Sequence, residues 1–242
     1  PDLGCLGGVG DCILKPLAHP TPWVEPGHHP GIARIHTLLE GAWLTIRDEF
    51  RAAVSLLQRE SHYNQWCVPV EANLQSEPGS FLSCGVVFDG AVDVGRPLAR
   101  LLNTTIRVLR DIKRHVAPVG QATFNILRPG ASIPPHFGSS ELRLRHMLSL
   151  SAPPCTAPAS TACAHLRVGW EMPPRPFVEG KVQSFDDNFI HQVHYPAGLS
   201  DQQRVAFVVD TVNPMLARDG PPHSRRGPWD EMEAFREAWW RH

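Results

Sequence analysis

Two stretches in the first half of the chain repeat apolar residues at helical spacing. Between about Gly31 and Glu60 they recur every three or four positions, which predicts one long amphipathic helix. Its apolar stripe comprises Ile32, Ile35, Leu38, Leu39, Trp43, Ile46, Phe50, Val54 and Leu57. The same spacing predicts a second helix from about Arg96 to His115, with its buried side formed by Leu98, Leu101, Leu102, Ile106, Leu109 and Ile112.

After Pro118 the pattern changes to short β-like runs that turn residues separate. These runs are Ala122–Leu127, Leu142–Ser151, His165–Trp170, Lys181–Phe185 and Arg204–Val209. Because no helical stretch lies between them, they favour a sandwich or a jelly roll over a parallel α/β sheet. We therefore predict a mainly β protein with flanking helices, in which a double-stranded β-helix of the cupin-like kind follows an N-terminal helical layer.

The chain of 242 residues is predicted to be a single catalytic domain, 1–242. Residues 1–30, rich in Gly, Pro and His, form an irregular arm, and 31–117 give helical support that includes loop and short strand between 61 and 92. The β-helix core occupies 118–215. A tail over 216–242 ends in a short amphipathic helix from about Trp229 to Trp240.

Composition narrows the range of partners. A net charge of −1, with 19% charged residues, argues against nucleic-acid binding, which needs a basic surface. No apolar run approaches the roughly 18–20 residues that cross a bilayer, so we expect no membrane span. A small anionic substrate stays compatible with this balance, because a few arginines in a pocket can bind it. Composition does not decide between the cytoplasm and a secretory lumen.

Six cysteines leave the redox state open. None forms a CxxC pair, so a zinc knuckle or a thioredoxin-like site is disfavoured. Cys155 and Cys163 bracket a loop rich in Pro, Ala and Thr and could close it as a disulfide. Free thiols are an equally good interpretation.

Two histidines in the second half are candidate metal ligands. His136 follows a Pro-Pro turn, which restricts its motion, and His191 provides a second imidazole on a later run. Two histidines that are distant in sequence but on neighbouring strands are typical of jelly-roll iron sites. A structural role is the competing interpretation for each, since the chain has 13 histidines. His194 also competes with His191, but in an extended segment the two face opposite ways.

Three arginines are candidate anion-binding residues. Arg143 and Arg145 are two apart in a strand-like run and so point to one face, with no carboxylate beside them in the sequence. Arg204 opens another run and would place a third cation near the barrel mouth. A dicarboxylate would satisfy these charges, although a solvated pair on a strand edge explains Arg143 and Arg145 equally well.

The order of several short motifs resembles the aspartyl/asparaginyl β-hydroxylase family. The resemblance covers roughly residues 20–215, and five motifs in family order make it specific. The motifs are PG-x4-PH-x-G from Pro129, RLR from Arg143, EGK from Glu179, FDD-x-F-x-H from Phe185, and R-x5-D from Arg204.

This resemblance implies a double-stranded β-helix that uses iron(II), 2-oxoglutarate and dioxygen. His136 and His191 would hold the metal, and Gly138 stands where most related oxygenases have a third, carboxylate ligand. Arg204, Arg145 and Asn125 would bind 2-oxoglutarate. Arg143 would face an acidic substrate, and Asp187 would act as a catalytic carboxylate close to the open side of the metal.

The sequence departs from the family pattern after the two arginines. The family has Arg-Leu-Arg-x-His, whereas Arg145 is followed directly by His146 and then Met147. In a regular strand His146 would turn to the opposite face and Met147 would enter the pocket. His146 would bind the cosubstrate only if a β-bulge returned it to that pocket. A lysine that some members use towards the substrate corresponds to Thr123.

The function that the resemblance implies is hydroxylation of an unactivated carbon by a 2-oxoglutarate-dependent dioxygenase. The substrate would be a small molecule or peptide that bears a carboxylate, such as the β-carbon of an Asp- or Asn-like unit. The absent carboxylate at Gly138 leaves a halogenase or another oxidative tailoring enzyme as an alternative. Met147 leaves a binding module that has lost catalysis, and a zinc hydrolase would need a third ligand and a base that the motifs do not supply.

Overall fold

A computed structural model of the chain describes residues 21–70, 80–88, 90–115, 119–138, 143–155 and 163–213. The predicted C-terminal helix, most of the predicted arm, and Leu142 at the beginning of one predicted strand lie outside these ranges. Within the described part, no helix has the length and apolar character that a membrane span requires.

The predicted amphipathic helix is present as α1, Pro30–Arg59. Pro30 occupies the first helical position, where its missing N–H costs nothing, and the ring of His29 accepts a hydrogen bond from the Gly31 N–H. Its buried residues are Ile32, Ile35, Leu39, Ile46, Phe50, Ala53 and Leu57. The stripe therefore faces the core, as its spacing predicted. A 3₁₀ turn, Pro26–His28, precedes α1, and a single helical turn, α2, Tyr63–Trp66, follows it.

The second predicted helix is two helices, α3, Arg96–Leu101, and α4, Asn103–His115. Glu49 of α1 explains the break, because its carboxylate accepts hydrogen bonds from the backbone N–H groups of Thr104 and Thr105, at 2.7 and 2.9 Å. These N–H groups would have intrahelical acceptors in an unbroken helix, whereas at a new N-terminus they need another acceptor.

Eleven strands among the described residues form two antiparallel sheets. They are β1, Cys67–Pro69; β2, Phe81–Phe88; β3, Ala91–Val92; β4, Val119–Leu127; β5, Ser132–His136; β6, Arg143–Ser151; β7, His165–Val168; β8, Arg175–Pro176; β9, Val182–Phe185; β10, His191–His194; and β11, Arg204–Val212. The larger sheet has the order β1-β2-β4-β11-β6-β9, with β3 on β2, and the smaller has the order β5-β10-β7-β8.

From β4 to β11 the chain alternates between the two sheets, which is the topology of a double-stranded β-helix. The predicted fold is therefore confirmed. One boundary differs, because the stretch that we grouped with the helical support contains β2, a full strand paired with β4 over most of its length.

Two apolar clusters lie on opposite faces of the larger sheet. Phe124 and Phe207 point outwards to α1, where the Phe124 ring lies 4.6 Å from that of Phe50. Leu127, Ala206 and Phe185 belong to the second cluster, inside the barrel. Because strand residues alternate between faces, the polar residues two positions from these inward residues also face the barrel interior.

Two disulfides close local loops. Cys155–Cys163 is bridged, which decides between the two interpretations left open by the sequence. Cys67 and Cys84, which the sequence did not pair, are direct partners on β1 and β2 and form the second bridge.

Candidate metal centre and cosubstrate pocket

His136 and His191 come together inside the barrel. His136 ends β5 and His191 begins β10, where the two residues are direct cross-strand partners, and their ring centroids are 4.1 Å apart. Each Nδ1 hydrogen bonds to a backbone carbonyl two residues earlier, that of Pro134 at 2.8 Å and that of Phe189 at 2.9 Å. A carbonyl only accepts, so Nδ1 carries the proton and Nε2 presents a lone pair.

Both rings are held in the neutral form that binds a metal. Burial, reinforced by the neighbouring His136, lowers the pKa of His191 to about 3, and burial also lowers the pKa of His136. The Nε2 atom of His191 is buried and has no hydrogen-bond partner in the described part of the chain. An orphaned imidazole nitrogen beside a second imidazole fits a metal ion.

The donor set consists of two histidines. Nowhere in the described ranges do three or more His, Cys, Asp or Glu side chains form a group that could hold a metal. His194 does not join the pair, because it lies on the outer face of the smaller sheet and contacts Ser132 instead. Any metal at His136 and His191 would therefore keep several positions for other ligands, as an oxygen-activating iron requires.

Arg143 and Arg145 are each already paired with a carboxylate of the same chain, so neither needs an external anion. Arg143 donates to Oδ2 of Asp187 from Nε at 2.9 Å and from a terminal nitrogen at 2.6 Å. Arg145 forms a two-pronged pair with Asp210, with both distances 2.8 Å. Neither carboxylate is near these arginines in the sequence, so the fold alone brings the partners together. Asp210 was part of the R-x5-D motif, but its spacing alone assigned it no partner.

The four charges are cross-connected and buried. The Asp187 carboxylate is fully buried, and Arg145 reaches it at 3.6 Å while Arg143 reaches Asp210 at 3.5 Å. Burial alone would lower the pKa of Arg145, but the Asp210 carboxylate holds that pKa above its ordinary value. Burial acts to raise the pKa of Asp210, yet Arg145 holds it below its ordinary value. Each partner thus favours the charged form of the other, and the cluster pairs two guanidinium groups with two carboxylates.

Gly138 stands directly against Asp187. Its N–H donates to the backbone oxygen of Asp187 at 2.6 Å, and a Cβ at this position would lie 2.2 Å from the Asp187 side-chain Cγ. No side chain fits there while the Asp187 carboxylate keeps its place. The carboxylate of Asp187 thus fills the space that a third ligand at position 138 would need.

Of the three candidate anion-binding arginines, Arg204 is the one with no carboxylate partner among the described residues. It is 1% exposed, its guanidinium lies 3.9 Å from the centre of the Phe177 ring, and a terminal nitrogen donates to the sulfur of Met147. Its Nε has no acceptor, and none of the ion pairs seen in the described residues includes it. Burial lowers the pKa of Arg204 to about 9. A buried guanidinium with a thioether as its partner is suited to an incoming carboxylate.

His146 does not reach this pocket. It is fully buried on the opposite face of β6, where Nδ1 bonds to Ser184 at 2.7 Å and Nε2 to Thr211 at 2.9 Å. The pairing of β6 with β11 is regular from Arg145 to Leu148, so no bulge turns the ring inwards. The predicted cosubstrate role of His146 does not fit this placement, whereas Met147 enters the pocket as the strand parity predicted.

Asn125 lies on β4 between β2 and β11 and is paired across the strands with Ala206. The alternation of β4 places it inside the barrel, since Phe124 packs outwards and Leu127 belongs to the interior cluster. Its side-chain oxygen accepts a hydrogen bond from the Thr123 hydroxyl at 3.1 Å. The structure thus brings Asn125 to the same interior as Arg204, on a neighbouring strand.

Comparison with known proteins agrees with the motif order. A family model described as aspartyl/asparaginyl beta-hydroxylase matches residues 40–214. The chain is 35% identical over 98 residues to Mus musculus aspartate beta-hydroxylase domain-containing protein 2, covering 40% of this chain and 26% of that protein. It is 36% identical over 107 residues to the Homo sapiens aspartyl/asparaginyl beta-hydroxylase, covering 44% of this chain and 12% of that protein. A solved structure, AviO1 from Streptomyces viridochromogenes Tue57, aligns with 84% of this chain and 90% of its own at a TM-score of 0.43 and 14% identity.

The matches therefore span about a quarter or less of these two curated relatives. The family model covers well over half of the present chain, from α1 to just beyond β11. The chain belongs to the aspartyl/asparaginyl β-hydroxylase family.

Proposed function

We propose that this protein is an iron(II)- and 2-oxoglutarate-dependent dioxygenase that hydroxylates an unactivated carbon. The observation that carries the proposal is the pair His136 and His191, two neutral rings whose Nδ1 atoms are fixed by backbone carbonyls, with the Nε2 of His191 buried and unpartnered among the described residues. When bound at such a pair, iron(II) with 2-oxoglutarate and dioxygen supplies the oxidising power for C–H hydroxylation.

Arg204 would bind the distal carboxylate of 2-oxoglutarate. Its buried charge has no described carboxylate to neutralise it, and its neighbours Met147 and Phe177 belong to the same interior cluster as Phe185, whose ring lies 5.2 Å from that of His191. A dicarboxylate with one end at Arg204 and the other at the metal would satisfy both charges. Asn125 would add a hydrogen bond from β4.

Arg145 would act on the cosubstrate indirectly. Its guanidinium donates two hydrogen bonds to Asp210, so we expect it to position the side chains that surround the cosubstrate and not to bind the cosubstrate itself. Asp187 would hold a water or a substrate group near the metal, because its Oδ1 is buried without a partner among the described residues. A carboxylate that already fills the space beside Gly138 would repel a halide there, which supports hydroxylation over halogenation.

The proposed substrate carries a carboxylate, as in an Asp- or Asn-like unit oxidised at its β-carbon. Arg143, with 19% of its side chain exposed, would meet that group while it stays paired with Asp187. The names of the curated relatives, which describe aspartate and asparaginyl β-hydroxylases, support this class.

The first test is an anaerobic titration of the metal-free protein with iron(II) and 2-oxoglutarate, in which the visible charge-transfer band is recorded. We expect a band that disappears in His136→Ala and in His191→Ala and weakens strongly in Arg204→Leu. His194→Ala and Arg167→Gln are matched controls on the outer face of the smaller sheet and should keep the band. A folded wild-type protein without the band would refute the proposal and support a binding module instead.

Turnover is tested separately by succinate formation in air. Succinate that depends on His136 and His191 would support an active oxygenase even before its substrate is known. Product analysis with and without chloride then distinguishes a hydroxylated product from a halogenated one.

A further inference from the structure

A second pair of histidines lies on the outer face of the smaller sheet, away from the interior of the barrel. Strands β5, β10 and β7 form the floor of a groove there with a volume of about 440 Å³. Ser132, His165, Arg167, Gln192 and His194 line it. None of these side chains belongs to the site proposed above, because the inward residues of the same strands are the ones that pack in the interior cluster.

His165 and His194 lie side by side on the floor of this groove. They are direct cross-strand partners on β7 and β10, and their ring centroids are 5.5 Å apart. Two imidazoles that bind one tetrahedral metal at about 2.0–2.1 Å have ring centres roughly 5 Å apart, so the rings need to move only slightly to share an ion. His165 is only 4% exposed, so it lies at the bottom of the groove.

Hydrogen bonds orient both rings for metal binding. His165 Nδ1 bonds to the carbonyl of Cys163, two residues earlier, at 2.8 Å, which is the arrangement also found at His136 and His191. Its Nε2 is therefore unprotonated and presents a lone pair. His194 Nδ1 bonds to the Ser132 hydroxyl at 2.7 Å, and that hydroxyl can accept from Nδ1 when Nε2 binds a metal.

From this geometry we propose that His165 and His194 form a second metal site, which binds a divalent transition metal such as Zn²⁺ through the two Nε2 atoms with water as the further ligands. Imidazole is a preferred ligand for zinc, copper and nickel. The site is independent of the proposed dioxygenase activity, since it uses the opposite face of the sheet.

Arg167 is the feature that argues against this assignment and makes it testable. Its Nε is buried with no acceptor in the described part of the chain, and no carboxylate is among the residues that line the groove, so an anion is the rival ligand. Because His165 Nδ1 donates to the Cys163 carbonyl, its Nε2 presents a lone pair to the groove, which attracts a cation and repels an anion and so favours the metal.

The experiment is a Zn²⁺ titration of the metal-free full chain at pH 7.5 against a chromophoric zinc chelator, with the stoichiometry confirmed by metal analysis after dialysis. We expect His165→Ala and His194→Ala each to lose one zinc equivalent relative to wild type, a different equivalent from the one lost in His136→Ala. His62→Ala, at an exposed histidine before α2, should lose none. Equal stoichiometry in wild type, His165→Ala and His194→Ala would overturn the proposal.

Two further variants keep the test decisive if an alanine variant folds poorly. Ser132→Ala leaves both ligands but removes the partner of His194 Nδ1, so the affinity of this site for zinc should fall by about tenfold. Arg167→Gln removes a repelling charge, so zinc should bind several-fold more tightly. If Arg167→Gln instead abolishes the stabilisation of wild type by inorganic phosphate in thermal unfolding, and zinc binding is unchanged, the groove is an anion site and the proposal is wrong.

Discussion

The contact between Gly138 and Asp187 predicts that a single methyl group at position 138 destabilises the protein. In Gly138→Ala the new Cβ would lie 2.2 Å from Cγ of Asp187 and within 2.4 Å of both carboxylate oxygens. The carboxylate cannot easily rotate away, because it is fully buried and accepts two hydrogen bonds from Arg143. One of the two groups must therefore move by more than an ångström.

The expected cost follows from two contributions. Overpacking of this kind costs about 1–3 kcal/mol. Each charge-assisted hydrogen bond from Arg143 that the displaced carboxylate loses adds about 1.5–3 kcal/mol. If one of the two bonds is weakened, the free energy of unfolding should fall by about 3 kcal/mol. In a chain of this length that change lowers Tm by roughly 6–12 °C.

The assay is urea unfolding of a double-mutant cycle. Asp187→Asn keeps the shape of the side chain, so Gly138→Ala should remain costly in that background. Asp187→Ala removes the clashing atoms, so Gly138→Ala should cost less than about 0.5 kcal/mol there. If Gly138→Ala costs the same in the wild-type and Asp187→Ala backgrounds, the clash is not the cause, and Asp187 does not exclude a side chain at position 138.

Three other substitutions test separate parts of the structure. Arg204→Leu should leave the free energy of unfolding unchanged or raise it by about 1 kcal/mol, because it removes a buried uncompensated charge. It should also strongly reduce the thermal stabilisation that 2-oxoglutarate gives wild type. A large loss of stability would mean that Arg204 is paired. Burial lowers the pKa of His146 to about 3 in the folded protein, whereas the unfolded chain binds this proton below about pH 6.5. The free energy of unfolding should therefore fall by up to about 1.4 kcal/mol per pH unit as the pH drops towards 3. A His146→Gln variant should show a shallower pH dependence in urea unfolding between pH 7 and pH 5. Replacing Cys67 and Cys84 by serine opens a loop of 17 residues and should cost about 3 kcal/mol in chemical denaturation, and an unchanged midpoint would show that the bridge does not stabilise the fold.

Features governed by local periodicity could be predicted from the sequence. The stripe of α1 and the alternation of β4, β6 and β11 each report which side of an element is buried, so the fold and the inward face of the arginine strand followed. Strand parity placed Met147 in the pocket for a regular strand and His146 there only through a bulge, and the pairing of β6 with β11 is regular at these residues. The five runs identified as strands all overlap strands of the structure.

Features that depend on contacts between distant segments could not be predicted. The partners of Arg143 and Arg145 lie 44 and 65 positions away, and the carboxylate that begins α4 lies 55 positions before it. Strands β5 and β10, which carry both proposed metal ligands, were missed as strands. In β5 two prolines, which remove ladder N–H donors, obscure the pattern, and β10 is only four residues long.

The charges inside the barrel explain why one arginine differs from the others. Arg143 and Arg145 carry two positive charges, and Asp187 and Asp210 carry two negative charges within hydrogen-bond or ion-pair distance, so this group contributes no net charge. Arg204 is then the surplus cation of the described interior. It is buried against the Phe177 ring and the Met147 thioether, neither of which carries a negative charge. A buried charge without a counterion is unfavourable in the empty protein, so a bound carboxylate recovers that free energy as affinity. The same substitution that relieves the ligand-free protein, Arg204→Leu, should therefore strongly weaken 2-oxoglutarate binding, because stability and function make opposite demands on this position.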